Sequence, residues 1–216
     1  MSKRIVCCAF GVMALVAAPA LGVNLLSNPD FTGTGGAVVG AVTGDVPDDW
    51  RAFGVGDRQG VIEVIPLPAD ALEPGSPPTN SVKWDVVVGG GGDAGFDNDN
   101  GKFAVTPGNE YHLEFWVKTG NSDGSDQGMR WGFPLFNPGY LGREPGGGST
   151  VATSAWQKVI GPTWTDGEAT IAHVSFRPDL DDGENAIVIA APTVVPEPAS
   201  ALLLLTGGLL ALRRRR

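Results

Sequence analysis

The amino-acid sequence predicts an all-β protein whose main domain is an antiparallel sandwich of two packed sheets. Short runs of β-branched and aromatic residues are separated by turn residues, and the 32 glycines and 17 prolines are spread between these runs. Residues 111–118 carry a large apolar side chain at every second position. Between the two termini, no segment sustains the 3.6-residue period of a helix.

Seven segments fit the strand pattern. Leu113 and Phe115 are predicted to point into the core, while His112 and Trp116 point to the opposite face of the same strand. Seven strands with one buried face each favour two sheets packed face to face. In chain order the segments are 60–65, 81–88, 111–118, 129–136, 157–160, 170–176 and 186–190.

The N-terminal residues 1–22 are predicted to be a helical signal peptide. Lys3 and Arg4 precede the apolar stretch 5–21, and small residues near position 20 provide a cleavage site for signal peptidase, so we expect export through the inner membrane. Cys7 and Cys8, the only cysteines, lie inside this leader. The exported protein therefore has no thiol, which excludes disulfides, thiolate metal sites and cysteine nucleophiles.

Residues 23–192 are predicted to form one acidic domain. The whole chain has 15 basic and 24 acidic residues. Without Lys3, Arg4, Glu197 and the four terminal arginines, 9 basic and 23 acidic residues remain, a net charge near −14. Such a surface repels nucleic acid and anionic lipid, so nucleic acid is excluded as a partner, whereas divalent cations are attracted.

The C-terminal residues 193–216 have three parts. A Pro-Glu-Pro motif is followed by the apolar run 199–212 and then by four arginines. As a helix the run would rise about 21 Å, less than the ~30 Å of a bilayer core, and its leucines face all sides, so it contacts the inner membrane only transiently. The alternative is a tail anchor or a buried helix. The motif residues are Pro196, Glu197, Pro198, Arg213, Arg214, Arg215 and Arg216.

This order of motif, apolar helix and arginine cluster resembles the PEP-CTERM sorting signal of Gram-negative bacteria that make exopolysaccharide. The resemblance implies that exosortase, a membrane protease, recognises Glu197 between its two prolines. It also implies a final location at the cell surface or in the extracellular matrix, either anchored or released.

The body of the chain resembles the galactose-binding-like jelly roll, and in particular its carbohydrate-binding modules. In this family an acidic residue usually follows the first-strand Phe, and an Asp lies in the last strand; both commonly help to hold a structural calcium ion. Thr32 and Ala190 stand at the matching positions here, which puts that metal site in doubt. The segments that carry the resemblance are 24–31, Trp50, 105–111, 115–118 and 156–158.

Two acidic loops are candidates for calcium. The first contains Asp97 and Asp99 and the second spans 179–184, and both carry the pattern Asp-x-Asp-x-Gly. Neither loop has the glycine and glutamate spacing of an EF-hand, and Asp/Asn/Gly loops are more often solvated turns. We therefore expect no obligatory cofactor, with Asp97 and Asp99 as the first candidates should calcium bind.

Aromatic side chains are the candidates for contact with sugar. A pyranose ring stacks its apolar face on a flat aromatic ring, while neighbouring polar groups bind its hydroxyls. The alternative for each residue is packing in the core. The candidates are Trp84, Trp116, Trp131, Phe136, Tyr140 and Trp164.

The sequence argues against an enzyme. His112 and His173, the only histidines, lie in predicted strands, and no nucleophile motif is present. We expect an exported, non-catalytic surface protein that is associated with exopolysaccharide or matrix and binds carbohydrate. The alternatives are a purely structural or self-associating surface module without a ligand and, more weakly, a glycoside hydrolase or lyase. Neither the glycan nor the oligomeric state follows from the sequence.

Overall fold

A computed structural model describes residues 23–87, 92–180 and 184–197. All regular secondary structure in these ranges is β-strand, as the sequence predicts. The strands are β1 (Ala37–Thr43), β2 (Arg51–Leu67), β3 (Thr79–Val87), β4 (Ala94–Asp97), β5 (Phe103–Ala104), β6 (Glu110–Thr119), β7 (Gln127–Gly132), β8 (Leu135–Phe136), β9 (Gly148–Ala152), β10 (Gln157–Ile160), β11 (Trp164–Thr165), β12 (Ile171–Ala172), β13 (Ser175–Pro178) and β14 (Glu184–Pro196).

The strands form two packed layers that share β2. The first layer has the order β10-β6-β14-β3-β2 and the second continues as β2-β4-β13-β7-β9. All pairs are antiparallel except β1 with β2, which is parallel. A small sheet of β5, β12 and β8 lies beside them. The described residues thus form a jelly-roll sandwich.

The strand β2 joins the layers because its two halves have different partners. Residues 51–54 pair with β4, and residues 59–67 pair with β3. Gly56, between the halves, has a φ of 71°, a left-handed conformation that glycine adopts without a steric penalty. Gly60 lies directly under the Trp84 ring, where a Cβ atom would collide with it. Glycines therefore permit both the bend and the close packing that follows it.

The core lies between the layers and follows the alternation predicted for β6. Tyr111, Leu113, Phe115 and Val117 are all buried, whereas the residues between them are partly exposed. The Phe115 ring lies 5.2 Å from Trp131 of β7 and 5.0 Å from Phe176 of β13, so the two layers meet at this ring.

Several predicted boundaries differ from the structure. The segment 129–136 is divided into β7 and β8 at residues 133–134, and 170–176 is divided into β12 and β13. The predicted domain boundary at residue 192 lies inside β14, which runs on to Pro196. The predicted signal helix and the apolar C-terminal helix lie outside the described residues. Within the described ranges, no helix is long and apolar enough to span a membrane.

Candidate functional site

A cleft of about 630 Å³ opens on the outer face of the second layer. Its floor is formed by strands β2, β4 and β13, and its walls are the loop after β4 and the segment after β8. The residues that line it combine three cations, four carboxylates, a histidine and three aromatic rings: Arg51, Phe53, Asp93, Asp97, Asp99, Lys102, Pro134, Phe136, Tyr140, Glu144, His173 and Arg177.

The floor is a phenylalanine that lies between two guanidinium groups. Phe53 points outward from β2, and its ring covers Gly95 of β4, where any side chain would collide with it. The guanidinium carbon of Arg51 lies 5.5 Å from the ring centroid and that of Arg177 lies 5.8 Å away. Cation–π attraction of this kind holds both arginines near the sheet surface.

One wall is a network of ion pairs. Arg51 binds Asp97 through two hydrogen bonds, Nε to Oδ1 at 3.1 Å and Nη2 to Oδ2 at 2.6 Å, and its Nη1 lies 2.8 Å from Asp99 Oδ2. The other oxygen of Asp99, Oδ1, lies 2.8 Å from Lys102 Nζ and 3.2 Å from His173 Nδ1. Both carboxylates therefore have all their near neighbours from the protein itself.

The two aspartates of this wall differ in acidity because their surroundings differ. Burial raises the pKa of Asp97 above its ordinary value, and the hydrogen bonds from Arg51 oppose that effect. The contact with His173, reinforced by Lys102 and Arg51 against partial burial, holds the pKa of Asp99 well below its usual range. Asp99 thus stays ionised in acid solution, while Asp97 depends on Arg51 to carry its charge.

The opposite wall is aromatic. The Tyr140 ring is 55% exposed and lies 5.6 Å from the Phe136 ring, tilted by 50°. Lys102 Nζ lies 4.6 Å from the Phe136 centroid, and the His173 ring packs 5.5 Å away. The Tyr140 hydroxyl donates to Glu144 Oε1 at 3.2 Å, and partial burial together with this carboxylate raises the pKa of the phenol. The wall presents one open ring edged by polar groups.

Arg177 connects the floor to both ends of the cleft. Its Nη1 lies 3.3 Å from Asp93 Oδ2, and its Nη2 lies 3.6 Å from Glu144 Oε1. These contacts are longer than those of Arg51, so more of the hydrogen-bonding capacity of Arg177 faces the open cleft.

Four of the residues predicted from the sequence come together in this cleft. Phe136 and Tyr140, predicted as sugar contacts, lie across it from Asp97 and Asp99, predicted as metal ligands. The alternating pattern of β6 gave no hint of this, because the cleft lies on the other layer.

The remaining aromatic candidates lie elsewhere. Trp84 is fully buried, Trp131 packs on Phe115 in the core, and Trp164 packs 5.2 Å from Tyr111, so the faces of these three rings are covered by protein. Trp116 is half-buried and lines a separate cleft of about 340 Å³ on the outer face of β6.

Six cleft residues were not singled out in the sequence. Residue 173 was predicted to lie within a strand, but it occupies the break between β12 and β13 and faces the cleft. The alternation of residues 51 and 53 about a buried Ala52 is a signal that could have located the floor, but the strand is short and glycine follows it. The six residues are Arg51, Phe53, Lys102, Glu144, His173 and Arg177.

The residues present do not fit the calcium site that the jelly-roll resemblance implies. Ala190 is buried and offers no side-chain oxygen. Near Thr32 an amide donor takes the central place, since Asn28 Nδ2 donates to the carbonyl oxygens of Thr32 at 2.8 Å and of Asp48 at 2.6 Å. Within the described residues, no group of three or more His, Cys, Asp or Glu side chains is arranged to hold a metal ion. The acidic loop at 179–184 lies partly outside them.

The beginning of the Pro-Glu-Pro motif is part of the first layer. Pro196 is the last residue of β14 and pairs with Tyr111 of β6, and Glu197 follows directly. Pro198 and the arginines 213–216 lie outside the described residues.

Known proteins resemble the two parts of the chain separately. Residues 194–216 match the PEP-CTERM protein-sorting motif, which indicates a protein exported to the cell envelope or surface. No curated protein matches the chain.

The body is similar in structure to carbohydrate-binding modules. The CBM22-1 xylan-binding domain of Paenibacillus barcinonensis Xyn10C aligns at a TM-score of 0.50 and 14% identity, over 85% of this chain and 100% of that domain. A GH51 α-L-arabinofuranosidase with bound arabinose aligns at 0.52 and 19%, over 80% of this chain but only 26% of the enzyme, so the chain spans about a quarter of its length. At these identities the likeness shows the fold. The chain therefore joins a PEP-CTERM protein-sorting motif to a jelly-roll body with the fold of carbohydrate-binding modules.

Proposed function

We propose that this protein is a non-catalytic surface protein of a Gram-negative bacterium that binds extracellular polysaccharide in the cleft between Tyr140 and Arg51. The observation that carries the proposal is the open Tyr140 ring facing charged side chains across the cleft. A sugar would stack on the ring and exchange hydrogen bonds with the polar groups beside it. The xylan-binding and arabinose-bound structural neighbours support carbohydrate as the ligand class.

Binding rather than catalysis is supported by the state of the carboxylates. A glycoside hydrolase needs one carboxyl group as acid and a second as base or nucleophile, each able to reach the substrate. Asp97 and Asp99 are instead engaged by Arg51, Lys102 and His173. Release of reducing sugar from the producer's own polysaccharide would favour the weaker alternative of a hydrolase or lyase.

Replacing Tyr140 with alanine should weaken polysaccharide binding about tenfold, because one sugar–aromatic contact contributes on the order of 1 kcal/mol beyond its buried area. A glycan array on the 23–197 region within the full exported chain would identify the ligand, and titration calorimetry would compare the variants. Ile160→Ala, which truncates an equally exposed apolar side chain on β10, is the control and should bind as the wild type does.

Equal affinity of Tyr140→Ala and wild type would remove the cleft from the proposal. If no polysaccharide bound to the wild-type protein, the purely structural or self-associating surface module would be the better interpretation, and light scattering would then test self-association.

The route to the surface requires three partners in sequence. Signal peptidase would remove residues 1–22, the apolar run 199–212 would hold the protein transiently in the inner membrane, and exosortase would act at the Pro-Glu-Pro motif. The match of residues 194–216 to the sorting motif supports this order.

Deleting residues 213–216 should abolish maturation, because the four arginines fix the cytoplasmic end of the apolar run. Immunoblots of cell fractions should then show the unprocessed precursor in the membrane instead of the shorter form at the surface. Four alanines in place of the arginines keep the length and should behave like the deletion, whereas four lysines should restore processing. Unchanged maturation of the deletion would contradict the proposed route.

A further inference from the structure

The first two residues of the sorting motif are attached to the folded body. After a bulge between Ala190 and Thr193, β14 continues along β6 as far as Pro196. One residue further, the Glu197 N–H donates to the Glu110 carbonyl at 2.8 Å. The strand that leads into the motif is held on its other side too, where the Leu25 N–H donates to Val194 O at 3.0 Å.

The Glu197 side chain has its own partner on β6. Its Oε1 lies 2.7 Å from His112 Nδ1, an ion-pair distance although the ring N–H is not aligned for a hydrogen bond. The other ring nitrogen, Nε2, lies 3.2 Å from Glu114 Oε1, and Glu114 Oε2 lies 3.1 Å from Lys158 Nζ. His112 thus links the motif to a row of charged side chains on the outer face of β6.

This side-chain contact matters because backbone pairing is sparse at this end of β14. Pro192 and Pro196 have no N–H and cannot donate to a neighbouring strand. Beyond Val195, the described backbone contributes the single hydrogen bond from Glu197 to Glu110. His112, whose side chain is only 13% exposed, is therefore a substantial part of what keeps the motif in place.

We propose that His112 is a positioning residue that masks the sorting motif, so that residues 195–197 must be released from β6 before exosortase can bind Glu197. Proteases and other peptide-binding proteins commonly take their peptide as an extended strand with free backbone donors and acceptors. In the folded body the Glu197 N–H and one oxygen of its carboxylate are already engaged. This inference rests on the proposed processing by exosortase.

His112→Ala in the full-length precursor should be processed about two- to fivefold faster than wild type in cells that contain exosortase, as expected for the loss of one partly exposed polar contact. Pulse-chase labelling measures that rate. His112→Gln, which retains a hydrogen-bond donor near Glu197, should fall between the two. Lys118→Ala, on the same face of β6 but away from the motif, is the matched control and should mature at the wild-type rate.

Amide hydrogen exchange supplies a readout that does not need exosortase. In the detergent-solubilised precursor, the Glu197 amide should exchange faster in His112→Ala, while the amides of β6 and β3 keep their wild-type protection. Loss of protection throughout the sheet would instead show a general structural role for His112 and overturn the inference.

The two levels of the proposal fail differently. If wild-type precursor is processed and His112→Ala matures at an equal or lower rate, the mask is refuted while processing stands. If exosortase does not process the wild type at all, the proposed route fails and the mask fails with it.

Discussion

Replacing Trp50 with alanine should lower the free energy of unfolding by about 3–5 kcal/mol, the usual cost of removing a large aromatic side chain from a core. The Trp50 ring is fully buried, stacks on Phe96 at 4.6 Å and 12°, and lies 4.9 Å from Phe31. Its Nε1 donates to the Asn28 carbonyl at 3.0 Å. The substitution would leave a cavity and an unpaired carbonyl, and urea denaturation measures the combined loss.

Trp116→Ala is the control for Trp50→Ala because it removes the same side chain from a half-buried position on the outer face of β6. Its cost should be smaller, since less apolar surface returns to water. If the two substitutions lowered the stability equally, the aromatic stack around Trp50 would not be the centre of the core.

Replacing Arg51 with alanine should also cost about 3–5 kcal/mol, because it leaves a buried charge without its partner. The Asp97 side chain is only 2% exposed, and Arg51 makes both of the hydrogen bonds that its carboxylate receives from a cation. Urea denaturation at neutral pH measures the loss. The same variant should weaken polysaccharide binding, since Arg51 also fixes Asp99 and covers Phe53 in the cleft.

The pH dependence of Arg51→Ala separates the buried charge from simple loss of packing. Burial raises the pKa of Asp97 in the folded protein, so its ionised form is the destabilising one. The difference from wild type should therefore be largest at neutral pH and shrink as the pH falls through the raised pKa towards about 4, where unfolded Asp is protonated as well. Adding Asp97→Asn should restore much of the stability at neutral pH. A difference independent of pH, with no rescue, would contradict this explanation.

The strands that the sequence predicts best are those with long, regular alternation. Residues 111–118 and 157–160 correspond to β6 and β10, because an apolar side chain at every second position has one favourable arrangement at a sheet surface. The strands β1 and β4 were missed. The first is rich in glycine and pairs in parallel with β2, and the second has four residues that are all buried, so neither shows alternation.

The candidate site was only partly predictable because burial is a property of the whole fold. Trp84 and Tyr140 are both aromatic residues in glycine-rich surroundings, but Gly60 admits the Trp84 ring into the core, whereas the short segment after β8 leaves Tyr140 exposed. The pairing of Arg51 with Asp97 joins strands 46 residues apart, a contact that no local pattern encodes. The sorting motif, by contrast, is a contiguous signal and needs no fold to be found.

The position of β14 has a consequence for biogenesis. This last strand lies between β3 and β6, in the middle of its layer, and its residues are the final ones of the body to leave the ribosome. A nascent chain that lacks them has a gap at the centre of the sheet, where two neighbouring strands have no partner to satisfy their backbone groups. The unfinished polypeptide is thus kept from locking into its native shape during synthesis, which suits a protein that must be threaded through a translocation channel before it folds.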